Sequence, residues 1–125
     1  MGFLSKKSML VSLLALSLVA CASTPIPKTP VPAAASITLP CNGDTGTHRV
    51  ATTITFTGSP CDLQDVDFIQ DQHGNHKHFT KHKSATSVVF TYDGQPILGD
   101  GAYFYYITKS TNSPNPDGGG GGIIK

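Results

Sequence analysis

The chain has 125 residues and a formal net charge of +1, with charged residues making up only 14% of it. A balance so close to neutral gives no electrostatic basis for binding nucleic acid. The length allows one domain with a small core, of the kind that gains from a covalent staple.

The first 20 residues have the three parts of an export signal. Lys6 and Lys7 form a positive start, and residues 9–20 (MLVSLLALSLVA) form an apolar run. That run is about 12 residues long, well short of the about 20 needed to cross a hydrocarbon core. It ends in Leu18-Val19-Ala20-Cys21. An ordinary secretory cleavage site takes small residues at −3 and −1, whereas Leu18 is bulky and a Cys follows at once.

Those four residues resemble the lipobox of bacterial lipoproteins: Leu, a small or aliphatic residue, Ala or Gly, then Cys. The resemblance covers only the start of the chain. It implies cleavage before Cys21, a diacylglyceryl thioether on Cys21 and acylation of the new N-terminus, together a lasting membrane anchor. Ala22 in place of Asp implies an outer-membrane lipoprotein with its domain in the periplasm or at the cell surface. Loss of residues 1–20 removes Lys6 and Lys7, so seven basic residues face eight acidic ones, a net charge of −1. With Cys21 lipidated, Cys41 and Cys61 are an even pair in an oxidising compartment, for which a disulfide is expected.

Residues 21–36 read as a lipidated Cys and a Pro/Ala-rich tether, because Pro25, Pro27, Pro30 and Pro32 favour extended polyproline conformation. A β domain is expected over residues 37–110. Residues 50–57 (VATTITFT) alternate with a period of two, the mark of a half-buried strand. Gly58-Ser59-Pro60 breaks the pattern. Residues 65–71 give a second strand with Val66 and Phe68 on one side. His73-Gly74-Asn75 reads as a turn, after which residues 76–79 are expected to run back antiparallel. Residues 87–92 (SVVFTY) place Val88, Phe90 and Tyr92 on one face. Residues 102–108 (AYFYYIT) place Tyr103, Tyr105 and Ile107 opposite Phe104 and Tyr106. No stretch after Ser36 has a helical apolar repeat.

Six or seven short strands at such spacing predict an all-β chain folded as a small antiparallel β-sandwich with one disulfide. The approach Asp100-Gly101-Ala102-Tyr103 to an aromatic strand resembles the penultimate strand of immunoglobulin-like domains. The family's Trp and its disulfide position are missing, so the resemblance implies architecture only. Residues 111–125 form a Gly-rich tail. Its five successive Gly are costly to order, and the tail is expected to be mobile, with Ile123-Ile124-Lys125 either free or docked as a short edge strand.

The densest cluster of potential chemistry is His73, His76, His78 and His82. Two His at i and i+2 on a strand share a face, and with Asp71 they suit Zn²⁺, Cu²⁺ or Ni²⁺. Lys77, Lys81 and Lys83 oppose a bound cation, and the plainer reading is a solvated hairpin tip. No Ser stands in a nucleophile elbow and no Gly loop precedes a helix in the manner of a phosphate cradle. An enzyme is not expected. Phe104 and Tyr106 are candidates for an exposed interaction surface, against the plainer reading that both faces of their strand are covered. The expected function is that of an envelope lipoprotein with a non-catalytic binding or structural domain, whose partners are the membrane through Cys21 and an envelope protein. Two alternatives stay open: a metal-binding envelope protein using the His run, and a small inhibitor or exclusion lipoprotein.

Overall fold

A computed structural model describes residues 30–125, so the signal segment and the lipobox lie outside the described residues. Every strand among the described residues lies in the compact unit Val31–Lys125. Among the described residues there are eight: β1 Ala34–Leu39, β2 Asn42–His48, β3 Thr53–Gly58, β4 Asp62–Phe68, β5 Phe79–Lys83, β6 Ser87–Tyr92, β7 Ala102–Lys109 and β8 Gly118–Ile124. They form two four-stranded sheets, ordered β1-β3-β6-β5 and β2-β8-β7-β4. This is a β-sandwich of immunoglobulin-like architecture, with β7 as its penultimate strand. Pairing is mostly antiparallel; the exceptions are β1 with β3 and β2 with β8, which run parallel.

The core follows from the alternation in β3, β6 and β7. Phe56 of β3 and Phe90 of β6 enter from the first sheet, and Phe68 of β4 and Phe104 of β7 from the second. Phe104 lies 5.0 Å from Phe56, and Phe68 meets Phe90 edge-on at 4.9 Å. Phe79 stacks on Phe68 at 4.1 Å. Such offset and edge-to-face pairs satisfy the ring quadrupoles and add to simple burial. Leu39, Ile54, Val66 and Ile124 fill the remaining space and are fully buried.

Two connections carry the chain from one sheet to the other at the same end: Pro40-Cys41 from β1 to β2, and residues 59–61 from β3 to β4. The disulfide Cys41–Cys61 joins them, with Cα atoms 5.1 Å apart. It pins both crossings, and the backbone N–H of Ser59 adds a hydrogen bond to the carbonyl of Leu39 at 3.1 Å. The open side between edge strands β4 and β5 is closed by charge. Lys81 Nζ of β5 lies 2.6 Å from Asp65 Oδ1 and 3.4 Å from Asp67 Oδ2 of β4. Charged side chains at edges also discourage pairing with other chains.

Several expectations change. β1 begins at Ala34, inside the stretch read as tether. β2, with the sequence NGDTGTH, was not expected as a strand at all. Residues 75–78 form a single 3-10 turn in place of an antiparallel run. The largest change is the Gly-rich tail, which is strand β8 and lies inside its sheet between β2 and β7. It is neither mobile nor an edge.

The Gly run is a strand because its neighbours need the room. On the inner face Phe104 stands opposite Gly122 and Tyr106 opposite Gly120. A Cβ at Gly122 would come within 2.5 Å of the Phe104 ring and of Thr45 Oγ1. Tyr106 reaches across Gly120 to donate its hydroxyl to the carbonyl of Gly43 at 2.7 Å. Aromatic cover of strand glycines restores the burial that the missing side chains forgo.

Candidate interaction surface

The parity of β7 decides what the second sheet shows to solvent. Phe104 and Tyr106 are 1% and 2% exposed. They belong to the core, which corrects the expectation that they form an interaction surface. The opposite face carries Tyr103 and Tyr105, 42% and 40% exposed. The residues were grouped correctly by alternation; the choice of which group points outward was not available from alternation alone.

Register builds the outer face in rows. Tyr103 pairs with Ile123 of β8, and its carbonyl accepts the N–H of Ile69 at 2.8 Å. Tyr105 stands between Asp67 of β4 and Gly121 of β8, and Gly121 is followed by Asp44 of β2. Because Gly121 has no side chain, a groove of about 440 Å³ runs over bare backbone between the Tyr ridge and β2. Ile69 and Ile123 close it at the end where β7 begins. The lining is aromatic, aliphatic and main chain, with Asp44 as its charged side chain.

A second hollow of about 390 Å³ shares Tyr103 and is lined by Asp71, His73, Asp100 and Gly101 among others. Its shape rests on Asn75, a buried amide with no exposed surface. Asn75 Nδ2 donates to the carbonyls of Leu98 at 2.8 Å and Gly101 at 3.2 Å, and its Oδ1 accepts the N–H of Leu98 at 3.0 Å. The loop 93–101 is thereby held to the 3-10 turn and presents Leu98, half exposed, beside Tyr103's end of the sheet. Desolvation pushes the Asp71 carboxyl upward, but the backbone N–H groups of Asn75, Gly74 and His73, with the charge of His73, outweigh it and hold the carboxyl below its ordinary value.

The four His occupy separate surroundings. His73 packs its ring against Gly99, where an added Cβ would lie 2.8 Å from Nε2. His76 sits in the 3-10 turn with a buried Nδ1 that has no hydrogen-bond partner among the described residues. His78 Nδ1 lies 3.0 Å from Asp93 Oδ2. His82 is exposed on β5, opposite Val89 of β6. His76 and His78 therefore do not share a strand face, since a turn and not a strand carries them. Among the described residues no three His, Cys, Asp or Glu side chains gather as a group able to hold a metal ion.

The chain matches no protein family, no curated protein and no solved structure.

Proposed function

We propose that the chain is a lipid-anchored envelope lipoprotein whose β-sandwich is a non-catalytic binding or structural domain. The observation that carries this reading is Leu18-Val19-Ala20-Cys21, preceded by Lys6, Lys7 and an apolar run and followed by a Pro-rich stretch. The β domain is in keeping with it. A small core stapled by Cys41–Cys61 suits an oxidising compartment. The groove beside Tyr105 is built from aromatic rings and bare backbone, as binding surfaces are, since Tyr supplies contact area at low entropic cost. Paired titratable groups of the kind that acid–base chemistry uses do not line it.

Metabolic labelling with an alkyne analogue of palmitate tests the anchor. The expected result is label on the wild-type chain in the outer-membrane fraction and none on Cys21→Ser. An unlabelled wild-type chain, or equal label on Cys21→Ser, overturns the reading. A photo-crosslinking residue at Tyr105 is expected to trap an envelope protein, and one at Thr86, on the opposite end, is not.

A further inference from the structure

The two ends of the sandwich differ in kind. The end that holds the disulfide also carries residues 84–86 and 110–117, which are polar loops rich in Ser, Thr, Asn and Pro. The other end collects the start of β1, the loops 69–78 and 93–101, and the starts of β3 and β7. Among the described residues, the large hydrophobic side chains that remain exposed are Val31, Ile69, Leu98, Tyr103 and Tyr105. Val31 precedes β1, Ile69 follows β4, Leu98 lies in the loop before β7, and Tyr103 opens β7. Four of the five thus sit at one end, and Tyr105 lies one step further up the same face. Exposed apolar residues that gather at one place mark an interaction site more than ones scattered singly do.

It is also the end at which the chain enters the domain. The N–H of Thr52 bonds the carbonyl of Pro32 at 2.9 Å, which fixes the entry point there. Ten residue steps separate Cys21 from Val31, a reach of no more than about 35 Å even when fully extended. A tether so short keeps the domain at millimolar effective concentration relative to its anchor point, so that a weak face suffices.

We infer that this end of the sandwich docks against the lipid bilayer, with Ile69 and Leu98 inserting at the headgroup–acyl boundary and Tyr103 lying at headgroup level. The inference rests on the lipoprotein reading above. Tyr is favoured at that depth because its ring is apolar and its hydroxyl wet, and aliphatic side chains supply the binding free energy of interfacial contacts. The charges at this end do not oppose contact. Arg49, Lys77 and Lys125 stand against Asp71, Asp93 and Asp100, so formal charge cancels before any His is protonated. Asp71 and Asp93 are turned to internal partners, the backbone N–H groups of residues 73–75 and of Gln95 and the ring of His78. The groove shares Ile69 and Tyr103 with this face, and its part beside Tyr105 and Asp44 lies higher on the sheet, open to a protein partner.

The test uses residues 21–125, which contain all eight strands described above, their core and the disulfide. Cys21 is coupled to a maleimide lipid in vesicles of phosphatidylethanolamine and phosphatidylglycerol, a fraction of which carry bromine on the acyl chain. Cys41 and Cys61 are joined to each other, so only Cys21 reacts. The chain has no Trp, and its tyrosine emission reports contact directly. Bromolipid is expected to quench that emission, with Tyr103→Phe removing most of the quenched share. The pair Ile69→Ser and Leu98→Ser is expected to weaken docking by roughly tenfold or more, since each removes a large part of an apolar side chain's burial. Both positions are half exposed, and a melting curve confirms that the variant remains folded. Coupling through Ala85→Cys in a Cys21→Ser chain turns the docking end away and is expected to abolish quenching. Unquenched emission in the Cys21-coupled protein overturns the inference and leaves this face to a protein partner. Equal quenching from either anchor overturns it too. Because the maleimide supplies the anchor, a Cys21 found unacylated in cells counts against the proposed function and not against this result.

Discussion

Asn75 forms with Leu98 the pair of hydrogen bonds that one strand residue would form with another, although Asn75 uses its side chain to do so. Its amide donates to the Leu98 carbonyl and accepts the Leu98 N–H, at 2.8 and 3.0 Å, and a second donor reaches Gly101. The whole side-chain amide is satisfied inside the fold.

Replacing Asn75 by Ala leaves those backbone groups without partners. Buried unmet groups cost about 1–3 kcal/mol each, and water will rescue some of them as the loop opens. The expected loss for Asn75→Ala is about 2–4 kcal/mol, read from urea unfolding. Hydrogen exchange at Leu98 is expected to accelerate more than at Phe90, because the loop 93–101 is released first.

Gly120 of β8 is predicted to be far less replaceable than Gly94 in the loop 93–101. A Cβ at Gly120 collides with the carbonyl of Gly43 on β2, whereas one at Gly94 meets nothing within 4 Å. Gly94 has a φ of 85°, so its replacement by Ala carries only a backbone penalty, about 1–2 kcal/mol. Gly120→Ala forces β2 away from β8 and is expected to cost more than Gly94→Ala, with loss of the Tyr106–Gly43 hydrogen bond. Thermal midpoints of the two variants decide it.

Breaking the disulfide releases both sheet crossings at once. With a sequence separation of 20, the chain-entropy contribution is about 3 kcal/mol. Cys41→Ala with Cys61→Ala is expected to lower stability by that order in urea unfolding, and reductant is expected to destabilise the wild type but not the double variant.

Acid is predicted to destabilise the domain through depressed carboxyls. Asp93 is held low chiefly by the N–H of Gln95, with help from His78, and Asp117 by the N–H and hydroxyl of Ser110. A carboxyl depressed in the folded state contributes stability that is present above its unfolded value, 3.8 here, and that is lost as pH falls through the folded one. Urea midpoints measured from about pH 6 to about pH 2 are expected to fall below about pH 4. Asp117→Asn is expected to flatten that fall.

Lys81 behaves in the opposite sense. Desolvation pulls its ammonium down, but the hydrogen bond and charge of Asp65, then Asp67, raise it above 10.5. Its contribution is complete below that value and is lost as pH climbs through the folded one. At neutral pH Lys81→Met is expected to cost about 0.5–1 kcal/mol. Lys81→Glu places a third carboxylate beside two and is expected to cost more, with added salt narrowing the difference.

Strands with one covered face were legible. β6 is Ser87–Tyr92, the segment that its alternation predicts, and β7 begins at Ala102 with the expected two groups of side chains. β2 and β8 were illegible because neither has an apolar pattern of its own through most of its length. Their reason to be strands lies in Phe104 and Tyr106, which need glycines opposite them, and that relation spans distant parts of the chain. The His run failed differently. Alternation places His76 and His78 on one face, but Asn75 finds its partners in the loop 93–101 and winds the segment into a turn. The exposed face was half legible: Tyr103 and Tyr105 were grouped together, yet a strand with aromatics on both sides gives no sign of which side meets the other sheet. A signal was present in Ala102 and Thr108, small residues in step with Phe104 and Tyr106, as an inward face near crossing points requires.

The position of β8 between β2 and β7 also orders the folding reaction. β2 is among the first strands in chain order, and its only ladder among the described residues is with β8, the last of the eight. The second sheet therefore cannot zip up from its N-terminal strand; β2 waits unpaired until residues 118–124 dock, and loop closure over that span makes collapse slow. A chain cut before Gly118 loses more than a terminal strand. It leaves β2 with nothing to pair with, uncovers Phe104 and Tyr106, and gives β7 a raw edge. On refolding from denaturant the chain is expected to stay protease-sensitive until β8 docks, and then to acquire resistance in a single late step.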